Sequence, residues 1–132
     1  MAFIGLTMDG TAYRVRIVYD TYMRSFQLVE GPNADYMLSG RYERDLIGTS
    51  YTYEMRVEPD PRYPEDYDAF FAAIAQPVPS HSITVFNGQT TMTYNAMIQS
   101  AQDTYKGILS GVHQWGNLTV RYIPITPQVE VD

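Results

Sequence analysis

From Tyr51 to Val57 the chain alternates without a break. Tyr51, Tyr53, Met55 and Val57 fall on one side, and Ser50, Thr52, Glu54, Arg56 and Glu58 on the other. A period of two belongs to a strand with one face on a core and one on water. Pro59 and Pro61 close it, because proline has no N–H to give to a ladder. Past Pro64 the period changes: Tyr67, Phe70, Phe71 and Ile74 stand at i, i+3, i+4 and i+7, one stripe of a helix spanning about 63–75. Pro64 suits the first helical turn, and Glu65, Asp66 and Asp68 suit the positive end of the helix dipole. "QPVP" terminates the helix.

The rest of the chain reads as strands. Two β-like runs flank Asp9-Gly10, a pair that tolerates the positive φ of a tight hairpin turn. In the second run Tyr13, Val15, Ile17 and Tyr19 share a face, with Arg14 and Arg16 on the other. "SFQLVE" is a third strand, stopped by Gly31-Pro32-Asn33. A short strand is expected around Tyr36 to Tyr42, followed by a turn closing at Gly48. Further on, "SITVF" and "TTMTYNAMI" flank Asn87-Gly88, a strong hairpin signal, and Met92, Tyr94, Ala96 and Ile98 share a face. Lys106 to Gly111 reads as a glycine-marked connection into "HQWGNLTVRYIPI", where Leu118, Val120 and Tyr122 alternate with Thr119 and Arg121. The fold class is therefore mainly β with one flanking helix: a sandwich or small barrel of about seven to nine mostly antiparallel strands.

Composition narrows the classes. A length of 132 residues fits one domain, read as residues 1–124, with 125–132 as an extended acidic arm. The 12 tyrosines exceed ordinary usage and favour strands and wet interfaces. A net charge of −6 argues against an electrostatic grip on nucleic acid phosphates and suits a surface that DNA passes without adhering. There is no cysteine, hence no disulfide and no thiolate chemistry. The opening "MAFIGLTMDG" lacks a basic leader, and no apolar run approaches the length of a membrane helix.

Candidate chemistry is sparse. His81 and His113 are the two histidines, and neither has a nucleophile and acid at catalytic spacing, so both read as loop or strand-end residues. Glu58, Asp60, Glu65, Asp66 and Asp68 cluster without the ordered spacing of a calcium loop, and a helix start accounts for three of them. "NLT" at Asn117 to Thr119 falls in an expected strand and reads as a chance sequon. No phosphate-binding glycine loop is present. No cofactor, metal or catalytic residue is expected. Surface tyrosines, with Trp115 as a platform, admit a carbohydrate-binding module as the alternative. On the Tyr51 strand, Met55 and Val57 place the tyrosine face in the core and leave Thr52, Glu54 and Arg56 for solvent or a wet interface.

Four stretches carry a family resemblance: "LSGRYERDLIGTSYTYEMRVE", "PEDYDAFFAAIAQPVPSHSITV", "NGQTTMTYNAMI" and "WGNLTVRYIPITPQ". Together, from about Gly40 to Gln128, they resemble small virion proteins of prophages and tailed phages of gut Firmicutes. The strand-and-helix pattern is similar to that of tail tube, tail terminator and distal tail proteins. The resemblance implies a non-enzymatic tail or baseplate subunit, made in the host cytoplasm and built into the virion. Its partners would be copies of itself and other tail proteins, with no membrane and no sequence-specific nucleic acid. The surfaces expected to meet those partners are the tips at Asp9, Gly10, Asn87 and Gly88, the face of Thr52, Glu54 and Arg56, Trp115, the helix face and the terminal arm.

Overall fold

Closing a sheet on itself removes its edges, and six strands of this chain do so. The computed structural model describes residues 2–31, 35–36, 40 and 42–130. In chain order the strands are β1 (Ala2–Met8), β2 (Thr11–Val18), β3 (Met23–Glu30), β4 (Asp35–Tyr36), β5 (Tyr42–Glu43) and β6 (Leu46–Pro59). The helix α1 (Pro64–Ile74) follows. Then come β7 (His81–Asn87), β8 (Thr90–Met97), β9 (Thr104–Leu109), β10 (Val112–Gly116), β11 (Leu118–Pro124) and β12 (Val129–Glu130). Antiparallel pairing runs β11, β8, β7, β1, β2, β6 and back to β11, which is a closed six-stranded barrel. The fold is thus the small-barrel form of the expected mainly β class, with one α-helix and a short 3-10 turn at Tyr19–Thr21 among the described residues.

Strand β6 is longer than the barrel needs. Its last part pairs with β2 (Val57 opposite Ile17) and β11 (Val57 opposite Leu118, Tyr53 opposite Tyr122). Its first part leaves the barrel and pairs with β3 along one edge and with β12 along the other. Two small antiparallel pairs lie outside this sheet, β4 with β5 and β9 with β10.

The alternating residues go where their period sends them. Val15, Ile17, Tyr53, Met55, Val57, Ile83, Val85, Leu118, Val120 and Tyr122 are all buried and fill the barrel. From the helix, Tyr67, Phe70 and Ile74 join the same cluster, with Phe71 half-buried beside them. Phe70 meets Tyr13 edge-to-face at 5.4 Å between ring centroids. Each such side chain stabilises the fold by about 1.5–3 kcal/mol of burial. The helix start is held from outside: Asp66 accepts the Arg14 backbone N–H at 2.9 Å and the guanidinium Nε at 2.8 Å. The same guanidinium lies 3.8 Å over the Tyr63 ring.

Four expectations need correction or refinement. Gly48 does not close a turn; it lies inside β6, where the backbone of Val129 and Glu130 comes so near that a side chain at 48 would collide with it. The strand expected around Tyr36 to Tyr42 consists, in its described part, of two short strands paired with each other, Tyr36 opposite Tyr42; residues 37–39 and 41 lie outside the described residues. Lys106 to Gly111 is not a connection: Thr104–Leu109 is a strand, and Ser110 (φ 50) and Gly111 (φ 79) form the tight turn of its hairpin with β10. Finally, "HQWGNLTVRYIPI" is two strands, broken at Asn117 with φ 58. Asparagine tolerates this left-handed conformation better than most residues, and it lets the chain turn from the hairpin into the barrel.

Tyr53 Oη donates to Asn87 Oδ1 at 3.1 Å, whereas Tyr122 Oη is buried with no protein partner among the described residues. Tyr53→Phe is expected to cost about 0.5–1.5 kcal/mol in denaturant unfolding, and Tyr122→Phe to be neutral or stabilising. A loss above about 1 kcal/mol in Tyr122→Phe would show that this hydroxyl has a partner after all. Gln128→Ala strips both partners from the Tyr51 backbone, which the Gln128 amide bonds at 2.8 and 2.9 Å, and is expected to cost about 1–3 kcal/mol.

Candidate binding surfaces

The hairpin of β9 and β10 is the surface feature least explained by the barrel. Ile108 and Leu109, adjacent in β9 and so on opposite faces, are 60% and 68% exposed, and Val112 beyond the turn is 42% exposed. Apolar side chains on both faces of an unsupported two-stranded ribbon are not part of any core. Only the base of the hairpin is tied down. Gly116 is buried beneath Glu58, which accepts from Lys106 Nζ at 3.2 Å and from the Asn117 N–H at 3.0 Å. A Cβ at Gly116 would occupy the space of the Glu58 and Lys106 side chains, so the glycine makes that tie possible.

Trp115 stands at this base, half in solvent, with Tyr105 edge-to-face at 5.0 Å. Tyr105 Oη and His113 Nδ1 share a hydrogen bond at 2.8 Å. Clefts open on both sides of the indole. One, lined by Arg16, Glu58, Pro59, Lys106, Gln114 and Trp115, has a volume of about 460 Å³. The other, between the hairpin and α1, is lined by Tyr67, Asp68, Phe71, Ala72, Asp103 and Trp115 and has about 300 Å³.

A second surface, open among the described residues, is β3. It pairs with β6 on one edge, and among the described residues no strand pairs with the other. Met23 and Phe26 on this strand are 54% and 67% exposed. An edge of this kind is a template for another strand unless it is blunted.

The residues singled out from sequence do not form one site. Asp9 and Gly10 make a tight turn with φ 53 and 78, but the Asp9 carboxylate is already engaged: Oδ2 lies 2.6 Å from His81 Nδ1, and Oδ1 accepts the Ser82 N–H at 2.8 Å. His81 is a strand-end residue as expected, yet it is buried. Asn87 is not a turn residue but the last of β7, opposite Thr90, and Gly88 (φ 65) with Gln89 makes the tip. Its amide oxygen accepts from Arg24 Nη1 at 2.9 Å as well as from Tyr53. The two tips sit at opposite ends of β7, roughly 20 Å apart. Thr52, Glu54 and Arg56 do share the outer face of β6, half-buried, with Met23 and Arg121 flanking Glu54. Trp115 lies at the hairpin base, beyond the Arg56 end of that row, where Arg56 Nε approaches Glu58 at 3.5 Å. The apolar hairpin tip and the β3 edge were missed; the adjacent apolar pair Ile108-Leu109 just before a Ser-Gly turn was the signal available.

The acidic cluster is dispersed among cations. Asp60 is fully buried and accepts from Arg62 at 3.0 Å, with Arg16 at 3.8 Å; Asp66 takes Arg14 and Glu58 takes Lys106. No group of three acids or histidines placed to hold a metal ion occurs among the described residues. None of the described helices is long and apolar enough to cross a membrane. Among the described tyrosine side chains, Tyr53, Tyr67 and Tyr122 are buried, Tyr13, Tyr22, Tyr51, Tyr63 and Tyr94 half-buried, and Tyr19 and Tyr105 exposed. Compared with known proteins, the sequence matches no protein-family model and no curated protein.

These pairs set an acid limit. Hydrogen bonds from His81, Arg62 and Arg14 hold the carboxyls of Asp9, Asp60 and Asp66, respectively, below the ordinary 3.8. A carboxyl depressed by folding stabilises the native state above its unfolded value and loses that contribution as pH falls through its folded one. The melting temperature is therefore expected to drop as pH falls below 3.8, and Asp66→Asn to flatten that part of the profile. Equal acid sensitivity in Asp66→Asn would remove this pair as a cause.

Proposed function

We propose that this chain is a non-enzymatic structural subunit that works by self-assembly, as a tail or baseplate component of a phage or prophage. The observation that carries the reading is the projecting β9–β10 hairpin with Ile108, Leu109 and Val112 exposed. Exposed apolar side chains at this density are stable in solution when another molecule covers them. The β3 edge, unpaired among the described residues and carrying exposed Met23 and Phe26, adds a second contact of a different kind, main-chain pairing. Two unlike surfaces on one chain suit a head-to-tail contact, which closes into a ring when the rotation permits. A net charge of −6 suits a wall that DNA passes without adhering. The sequence resemblance to tail proteins supplies the particular setting.

A second reading, a carbohydrate-binding module, draws on the exposed rings of Tyr105 and Trp115. It is weakened by the placement of the tyrosines, since Tyr19 and Tyr105 are the exposed ones among the described residues.

Light scattering and negative-stain microscopy of the purified chain are expected to show rings or tubes. Replacing Ile108, Leu109 and Val112 together with aspartate is expected to give monomers with the barrel's stability changed by about 0.5 kcal/mol or less per site. A wild-type chain that stays monomeric at high concentration and shifts on a glycan array would overturn the assembly reading in favour of the second.

A further inference from the structure

The cleft between α1 and the base of the hairpin has an uncommon wall. Three aromatic side chains, Tyr67, Phe71 and Trp115, line about 300 Å³ together with the carboxylates of Asp68 and Asp103. Asp103 Oδ2 accepts the Tyr67 hydroxyl at 2.8 Å, which fixes that carboxylate at the cleft. Asp68 follows Tyr67 directly on α1 and is exposed. Elsewhere the acids of this region have cations: Asp60, Asp66 and Glu58 are paired with arginine or lysine. Among the described residues, no lysine, arginine or histidine forms an ion pair with Asp68 or Asp103. Lys106, the nearby cation, is held by Glu58 in the cleft on the other side of the indole.

The surplus of negative charge acts on the cleft. Burial raises the Tyr67 hydroxyl well above its ordinary value, and the bond to Asp103 and the charges of Asp103, Glu58 and Asp68 all push in the same direction. An anion is disfavoured there, and a hard metal ion finds aromatic walls where it needs oxygen ligands. A soft organic cation meets both of its requirements: ring faces attract it through their quadrupole, and carboxylates through charge.

We propose that this cleft is a binding site for an alkylammonium group, carried by a small molecule or by a lysine-like side chain. The site is separate from the apolar tip of the hairpin and does not depend on the assembly reading. Its volume accommodates a trimethylammonium head with room for the start of its chain.

Trp115 is the one tryptophan of the chain and lines both clefts, so its fluorescence reports on binding beside the indole, and the Asp68 and Asp103 variants assign the signal to this cleft. Choline chloride is expected to give a saturable change at roughly 1–10 mM, the strength of one cation–π contact aided by exposed carboxylates. Its neutral isostere 3,3-dimethylbutan-1-ol and sodium chloride at equal ionic strength are expected to bind at least about tenfold more weakly. Asp68→Asn and Asp103→Asn are each expected to weaken choline roughly three- to tenfold. Asparagine at 103 keeps an acceptor for the Tyr67 hydroxyl, and unchanged melting temperatures would separate lost charge from lost fold. Nα-acetyl-lysine methylamide distinguishes the sources: binding as tight as choline points to a protein side chain, and tighter choline to a small molecule. The proposal fails if the neutral isostere matches choline, if methyl glucoside saturates the signal where choline does not, or if both asparagine variants bind choline as the parent does.

Discussion

Strand β6 runs for 14 residues and must have its backbone satisfied on both edges throughout, although no single neighbour is long enough to do it. The neighbours change on each side. Along one edge β3 serves residues 46–54 and β2 takes over at Val57. Along the other, β12 serves Gly48 and Thr49, and β11 takes over from Tyr53. At each handover a side chain fills the gap. Thr21, in the helical turn between β2 and β3, accepts the Arg56 N–H at 2.9 Å and donates its hydroxyl to Val18 O at 2.7 Å. Gln128, just ahead of β12, bonds both the N–H and the carbonyl of Tyr51 through its amide. The barrel, the wing of β3 and β12, and the terminal segment are held together through this one strand.

That constraint places the exposed surfaces. Because β6 leaves the barrel, β3 is carried out with it and keeps an edge that closure of the barrel would have removed. Because β11 must reach β6 at Leu118, the chain turns sharply at Asn117 and leaves β9 and β10 outside as an independent pair. The helix follows from the end of β6 at Pro59 and packs back with Phe70, so its outer side meets the hairpin base. There Tyr67, Phe71 and Trp115 come to share a cleft. The exposed β3 edge, the projecting hairpin and the aromatic cleft are thus by-products of how one long strand is accommodated.

The polar interior interactions have a similar logic. Asp60 is fully buried directly after β6, where an unpaired charge would be costly, and Arg62 and Arg16 neutralise it. Asp9 and His81 join the turn of the first hairpin to the start of β7, so a residue that stands at an exposed tip also fastens two strands.

The alternation of Tyr51 to Val57, the stripe of Tyr67 to Ile74 and the Asp9-Gly10 turn were legible from the chain because each is a local period or a local dihedral preference. Burial then followed period: Tyr53, Met55, Val57, Phe70, Leu118, Val120 and Tyr122 lie in the core. The strand β9 was not legible, because a ribbon exposed on both faces has no core to impress a period of two on Tyr105, Ile108 and Leu109. The Gly48 contact, the reach of Gln128 to Tyr51 across 77 positions, and the meeting of Asp103 with Tyr67 across 36 were likewise invisible. Sequence by itself determined which apolar residues of β6, α1 and β11 are buried, since that depends on neighbours a few positions away. Only the tertiary structure decided that the sheet closes, which edges remain open and which side chains gather around Trp115, because these depend on pairings between segments that local patterns do not encode.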